Sequence, residues 1–175
     1  MLKKLLLVLM VSVSLFAGNY EKGLEAAQQG NFKTALKLWK PLAENGDSYA
    51  QLNLGIMYRN GYGVRQDDHK AVKWYLLSAK QGNVTAQYNL GYMYDNGYGV
   101  RQNYKEAAKW YSQAAHKGYS NAQLNLGELY VKGKGVKQDK IKAYQWWLKA
   151  AKQGDSIAQE NLDILCRKSP WACKQ

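Results

Sequence analysis

Residues 50–84 read AQLNLGIMYRNGYGVRQDDHKAVKWYLLSAKQGNV, and the same pattern returns twice. Residues 86–120 read AQYNLGYMYDNGYGVRQNYKEAAKWYSQAAHKGYS, and residues 122–156 read AQLNLGELYVKGKGVKQDKIKAYQWWLKAAKQGDS. A fourth copy opens at Ala158 as AQENLDILC and stops. The spacing from Ala50 to Ala86 to Ala122 to Ala158 is 36 residues each time, without slippage. Self-similarity at such a fixed period is the mark of stacked supersecondary units. Upstream, YEKGLEAAQQGNFKTALKLWKPLAENGD is a degenerate copy with a loop four residues shorter, aligning Gly23 with Gly55 and Ala35 with Ala71.

Each unit reads as two helices. The first covers roughly 49–59 and ends at Gly61 and Gly63, which supply backbone freedom that other residues lack. The second opens after Asp67, Asn103 or Asp139, all good N-cap residues, and Glu106 is placed to complete a capping box with Asn103. It stops at Gly82, Gly118 and Gly154. Pro41 falls inside the second helix of the degenerate copy, where a kink or a break is expected.

At 100° per residue, Ala50, Gln51, Asn53, Leu54, Gly55, Met57 and Tyr58 share one arc of the first helix and barely change between copies. Leu52, Ile56 and Arg59 project from the other side and vary freely. Positions that recur are those every stacking interface needs. Gly55, Gly91 and Gly127 stand mid-helix, where glycine costs about 1 kcal/mol against alanine; close backbone approach by the second helix is the expected compensation. The second helix alternates small and aromatic residues: Ala71, Trp74, Tyr75 and Ala79 return as Ala107, Trp110, Tyr111 and Ala115, then as Ala143, Trp146, Trp147 and Ala151. Because they return in every copy, they read as core rather than as a stacking platform for a ligand.

The motif pattern A-x-x-x-L-G-x-x-Y-x-x-G-x-G-V, then K-A-x-x-W-Y-x-x-A-A-x-x-G, resembles the Sel-one-like repeat family, the bacterial-type relative of tetratricopeptide repeats. It is matched over residues 50–154, with Ser78-Ala79 for the alanine doublet in one copy and Trp146-Trp147 for the aromatic pair in another. Asp163 stands where the last copy should carry glycine, which suits a terminal cap. The resemblance implies an all-α fold, a right-handed α-solenoid of antiparallel helix pairs, and a role as adaptor or assembly scaffold. It divides the chain into a degenerate first pair at 18–49, full repeats at 50–85, 86–121 and 122–157, and a capping helix and tail at 158–175. It also implies a concave groove lined by the first helices. Carried over by position, that groove takes Tyr49, Leu52, Ile56, Arg59 and Asn60, then Thr85, Tyr88, Tyr92, Asp95 and Asn96, then Asn121, Leu124, Glu128, Val131 and Lys132. Aromatic and aliphatic anchors beside isolated charges suit a peptide or protein partner.

The chain opens MLKKLLLVLMVSVSLFAGNY, with a short basic region, twelve mostly apolar residues and small residues at Ala17 and Gly18. This is the pattern of a secretory signal peptide over residues 1–17, too short for a span of about 20 residues. The expected location is the periplasm or outside the cell, with no transmembrane segment in the mature chain. Without Lys3 and Lys4, 23 basic side chains face 13 acidic ones. In an exported protein such an excess points to an anionic envelope polymer, anionic lipids or an acidic protein rather than to nucleic acid; Lys132, Lys134, Lys137, Lys140, Lys142, Lys149 and Lys152 concentrate it in the third copy, which favours the polymer. Cys166 and Cys173 are the only cysteines, and a disulfide is expected in an oxidising compartment.

Residues with a pattern suited to catalysis are not found. None of Ser48, Ser78, Ser112, Ser120, Ser156 and Ser169 has lysine three residues on, as serine acylation of a β-lactam requires. His69 and His116 are 47 residues apart and at non-matching repeat positions, so no metal or other cofactor is expected. A secreted, cysteine-rich branch of the family has been assigned penicillin binding and β-lactamase activity, so the resemblance leaves such a hydrolase as the enzymatic alternative. That branch carries a cysteine pair in each repeat, whereas this chain has one at its end. Finally, NGYGVRQ lacks the third glycine and preceding strand of a dinucleotide loop, and reads as a turn.

Overall fold

The computed structural model describes residues 18–174, so the leader at 1–17 lies outside the described residues. Among these residues the secondary structure is helical throughout, in an all-α fold of the α-solenoid class. Two compact units follow one another, Met1–Gln81 and Gly82–Gln175. The first holds α1 (18–28), α2 (Phe32–Glu44), α3 (Ser48–Asn60) and α4 (Asp68–Lys80). The second holds α5 (Val84–Asn96), α6 (Tyr104–His116), α7 (Ser120–Lys132), α8 (Lys140–Ala151), α9 (Ser156–Lys168) and a 3-10 turn at Pro170–Cys173.

The helix ends follow from side-chain chemistry. Asp47, Asn83 and Asp155 cap α3, α5 and α9 by accepting the amides of Ala50, Ala86 and Ala158. Asp67, Asn103 and Asp139 do the same for α4, α6 and α8. The capping box at Asn103 is only half built. Its side chain accepts from Glu106, but its own amide donates to Tyr94 O at 2.9 Å, so Glu106 has no amide to receive and pairs with Lys109 instead. Equivalent bonds from Asp67 N to Tyr58 O and from Asp139 N to Tyr130 O fasten the other two loops. Pro41 causes no break: α2 runs unbroken through it. Proline sits in the last turn, so it forfeits a single ladder bond, and its carbonyl still accepts from Asn45 N.

The mid-helix glycines do admit a neighbour, but it is an aromatic ring and not backbone. A Cβ on Gly91 would lie 2.7 Å from the Tyr111 ring, and Gly55 and Gly127 meet Tyr75 and Trp147 more closely still. Gly23 meets Trp39 in the same way, which places the degenerate first pair in the same architecture. Gly61 caps α3 at φ 74°, and the second loop glycine serves the neighbouring pair. A Cβ on Gly63 would fall 2.8 Å from the backbone of Phe32 at the start of α2, and one on Gly135 would strike the backbone of Tyr104 at the start of α6. Both loops are tied further: Tyr62 stacks on Phe32 at 4.7 Å, and Lys134 stands 4.7 Å over the Tyr104 ring.

Two of the recurring glutamines, Gln51 and Gln123, form the same buried clamp. Gln51 donates to Ala43 O at 3.0 Å and accepts from Gln81 at 2.8 Å. Gln123 repeats this with Ala115 O and Gln153, at 3.1 and 2.8 Å. Each clamp joins a first helix to the end of the preceding second helix and to its own partner. Such buried polar groups are tolerated because they are satisfied; one left unpaired costs about 1–3 kcal/mol. Ser78, where later copies have alanine, is likewise buried with its hydroxyl donating to Ser48 O at 2.7 Å.

Candidate partner-binding site

The outward faces of the first helices carry the varying residues. In the first unit, Tyr49 is 62% exposed, with its ring edge-on to Tyr20. Leu52 and Ile56 are half-buried, and Arg59 pairs with Asp68 at 3.1 Å. Asn60 turns its amide back to Ile56 O, as Asn96 does to Tyr92 O in the second unit, so both partly serve their own helices.

In the second unit the face between α5 and α7 encloses a cavity of about 210 Å³, bringing Tyr92, Asp95, Asn96, Glu128 and Lys132 together with Asn125, Leu129 and Lys134. Its charges are balanced. Lys132 meets Glu128 at 2.7 Å, and Asp95 accepts the Tyr111 hydroxyl at 3.2 Å. Burial raises the Asp95 pKa above its ordinary value, an effect opposed by the Tyr111 hydrogen bond and by Lys134. Burial also pushes the Tyr111 phenol upward, with the Asp95 charge adding to it. Tyr111 therefore stays a hydrogen-bond donor to Asp95.

A second cavity, about 420 Å³, lies between α7, α9 and the start of α8. Val131, Trp147, Ile164 and Leu165 give it an apolar floor, and Lys132, Lys140 and Lys168 stand around it with Glu128, Asn161 and Ser169. The indole N–H of Trp147 is already donated to Leu124 O at 2.9 Å, so the ring offers the cavity carbon and no donor.

Two of the expected groove residues belong largely to the interior. Leu124 is a correction: only 9% exposed, it packs in the cluster of Trp147, Leu162 and Leu165, because the Trp147 ring reaches across its side of the helix. Tyr88 is half-buried and packs on Tyr111 and Tyr119 at ring distances of 5.8 and 5.1 Å. Thr85 is half-buried and Asn121 exposed; neither lines either cavity. Sequence reasoning missed the α9 wall, although displacement by one period sets Ile164 under Glu128 and Lys168 under Lys132. It also set Asn125 with the stacking positions, whereas this residue lines the smaller cavity. Cys166 and Cys173 form the expected disulfide. None of the described helices is long and apolar enough to cross a membrane.

Four successive segments, 15–47, 48–83, 84–119 and 120–155, match the family model for the Sel1 repeat. The structure is similar to that of a Sel1 repeat protein from Oxalobacter formigenes, with a TM-score of 0.79 and 32% identity over 83% of this chain and 60% of that one. It is also similar to c5321, a protective antigen of uropathogenic Escherichia coli with an SLR fold, at TM-score 0.81 and 35% identity over 84% of this chain and 32% of that one. This chain thus spans less than two thirds of either protein. Helicobacter pylori cysteine rich protein B shares the fold at TM-score 0.59 and 23% identity, over 75% of this chain and 95% of that one. No curated protein matches the chain.

Proposed function

Because the chain belongs to the Sel1 repeat family, a family of helical scaffolds that commonly serve as protein-interaction modules, we propose that it is an exported adaptor holding a protein or peptide segment on the outward face of its first helices. The observation that carries this reading is the pair of successive cavities between α5 and α7 and between α7 and α9. They sit on one architecture, yet part of their lining differs between copies, with Tyr92, Asp95 and Glu128 of one slot matched by Glu128, Val131 and Ile164 of the other. A surface of constant shape and changing chemistry is what recognition of a particular partner needs. Export is supported by the leader-like opening and by the disulfide, which persists in oxidising compartments.

A polyanion-binding lysine face is less well supported. Lys132 and Lys142 already pair with Glu128 and Asp139, while Lys134 and Lys149 lie over the rings of Tyr104 and Trp146. Crosslinking in cells from positions 56, 92 and 128 identifies the partner, whose affinity is then measured with purified variants. Tyr92→Ala should weaken binding about tenfold or more, as expected for a central aromatic anchor. Unchanged affinity for Tyr92→Ala and for Glu128→Ala would sink the reading.

A further inference from the structure

The two cavities of the second unit are the same slot, one repeat apart. Moving 36 residues along the chain takes Asp95 to Val131, Asn125 to Asn161, Glu128 to Ile164 and Lys132 to Lys168. Both acids of the first slot thus become aliphatic in the second, while the lysine is kept and Lys140 is added. Glu128, the acid that remains, is taken by Lys132 at 2.7 Å. Lys140 donates to the buried hydroxyl of Ser169 at 2.9 Å. Among the described residues neither Lys140 nor Lys168 has a carboxylate partner within ion-pair distance. Among the described residues the slot is thus lined by two lysines without a carboxylate partner beside a floor of hydrocarbon.

We propose that this slot receives the free C-terminal carboxylate of a polypeptide whose last residue is apolar. The proposal rests on the adaptor reading and specifies which part of the partner docks. A C-terminal residue carries its side chain and its carboxylate on one Cα, so both fall within one cavity of about 420 Å³, inside the roughly 300–1,000 Å³ range of ligand pockets. The side chain covers Val131, Trp147, Ile164 and Leu165; the carboxylate meets Lys140 and Lys168. Beside an apolar floor the attraction is less screened than in open water. Ser169 belongs to the ring closed by Cys166 and Cys173, so the tail bounds one side of the slot. Glu128 and Lys132 are shared with the α5–α7 slot, so the rest of the bound chain leaves in that direction.

The test uses the full mature protein and an N-acetylated peptide, Gly-Ser-Gly-Ser-Gly-Ser-Leu, titrated to about 1 mM, where even weak binding is seen, with amide and indole resonances followed by NMR. The free acid is expected to shift the Trp147 indole. Its C-terminal amide, and a peptide ending in Gly, should each bind at least about tenfold more weakly, the loss typical of a charge-assisted contact or of a buried aliphatic side chain. Lys140→Gln with Lys168→Gln should weaken the acid to the level of the amide. Ile164→Glu, which restores the acid of the sister slot, should abolish the shift while leaving the fold intact by circular dichroism. Equal binding of acid and amide, no binding of the acid, or equally tight binding of octanoate in place of the peptide would each overturn the proposal. None of these results touches the Tyr92→Ala test, so the adaptor reading stands or falls separately.

Discussion

The α5–α7 slot and the α7–α9 slot share a wall and a geometry but not a chemistry. The first balances Asp95 and Glu128 against Lys132 and Lys134; the second sets Lys132, Lys140 and Lys168 against Glu128 alone, over an apolar floor. What makes them alike is the recurring set of glycine, aromatic ring and glutamine behind α5 and α7. What makes them differ is a few substitutions on the outward face that leave the stacking residues in place. Repetition thus separates the residues that build a slot from those that set its chemistry.

The largest effect is expected from breaking what the slots share. Gly127→Val drives two methyl groups toward the Trp147 ring at a position with no room even for Cβ. Overpacking of this kind should cost about 3 kcal/mol or more in guanidinium unfolding, and both slots should lose their shape. A smaller and sharper comparison uses two glutamines one period apart. Gln123 is a buried clamp, so Gln123→Ala should cost about 1–3 kcal/mol. Gln159 is exposed and its side-chain amide donates to Asp163, so Gln159→Ala should stay within about 0.5 kcal/mol. Equal losses in the same unfolding assay would contradict the clamp.

The smallest effect separates the slots by pH. Burial holds the Asp95 pKa above the 3.8 of a free aspartate, so the folded chain takes up a proton more readily than the unfolded one. Stability is then lost as pH rises from the ordinary value through the raised one, and the penalty persists at neutral pH. Asp95→Asn removes that slope and should raise the melting temperature slightly at neutral pH but not in acid. Val131, the matching residue of the other slot, cannot titrate, and Val131→Thr should leave the pH profile unchanged. A parallel profile for wild type and Asp95→Asn would show that the carboxyl is not desolvated.

Most of the architecture was legible because it is written four times. The period, the N-caps and the glycine against an aromatic partner each recur, and the structure places them in equivalent surroundings. The site was less legible because variation was equated with exposure. Leu124 shows why that fails: Tyr88 against Tyr111 in one copy becomes Leu124 against Trp147 in the next, a small residue compensating a larger ring. Cores tolerate such volume-conserving exchange, so a varying position can still be interior. Lys140 and Ser169 were hidden for another reason: they reach the slot from outside the first helices, where helical periodicity does not apply.

The loop glycines have one more consequence. Gly63 and Gly135 each rest on the helix of the preceding copy, and Gln51 and Gln123 reach back to the same helices. The contacts between copies are therefore interleaved with those inside a copy, where each mid-helix glycine receives the ring of its own second helix. Of the second helices, α2 and α6 are each held on one side by their own first helix and on the other by the first helix and loop of the next copy. Dissection or grafting at the textual boundary of 121 and 122 would cut the first turn of α7 and strip α6 of its clasp from Gln123 and Gly135. A cut in the loop before Asn103 would instead part Gly91 from the Tyr111 ring and Asp95 from its hydroxyl, so chimaeras joined at either place should lose stability unless both sides of α6 are supplied.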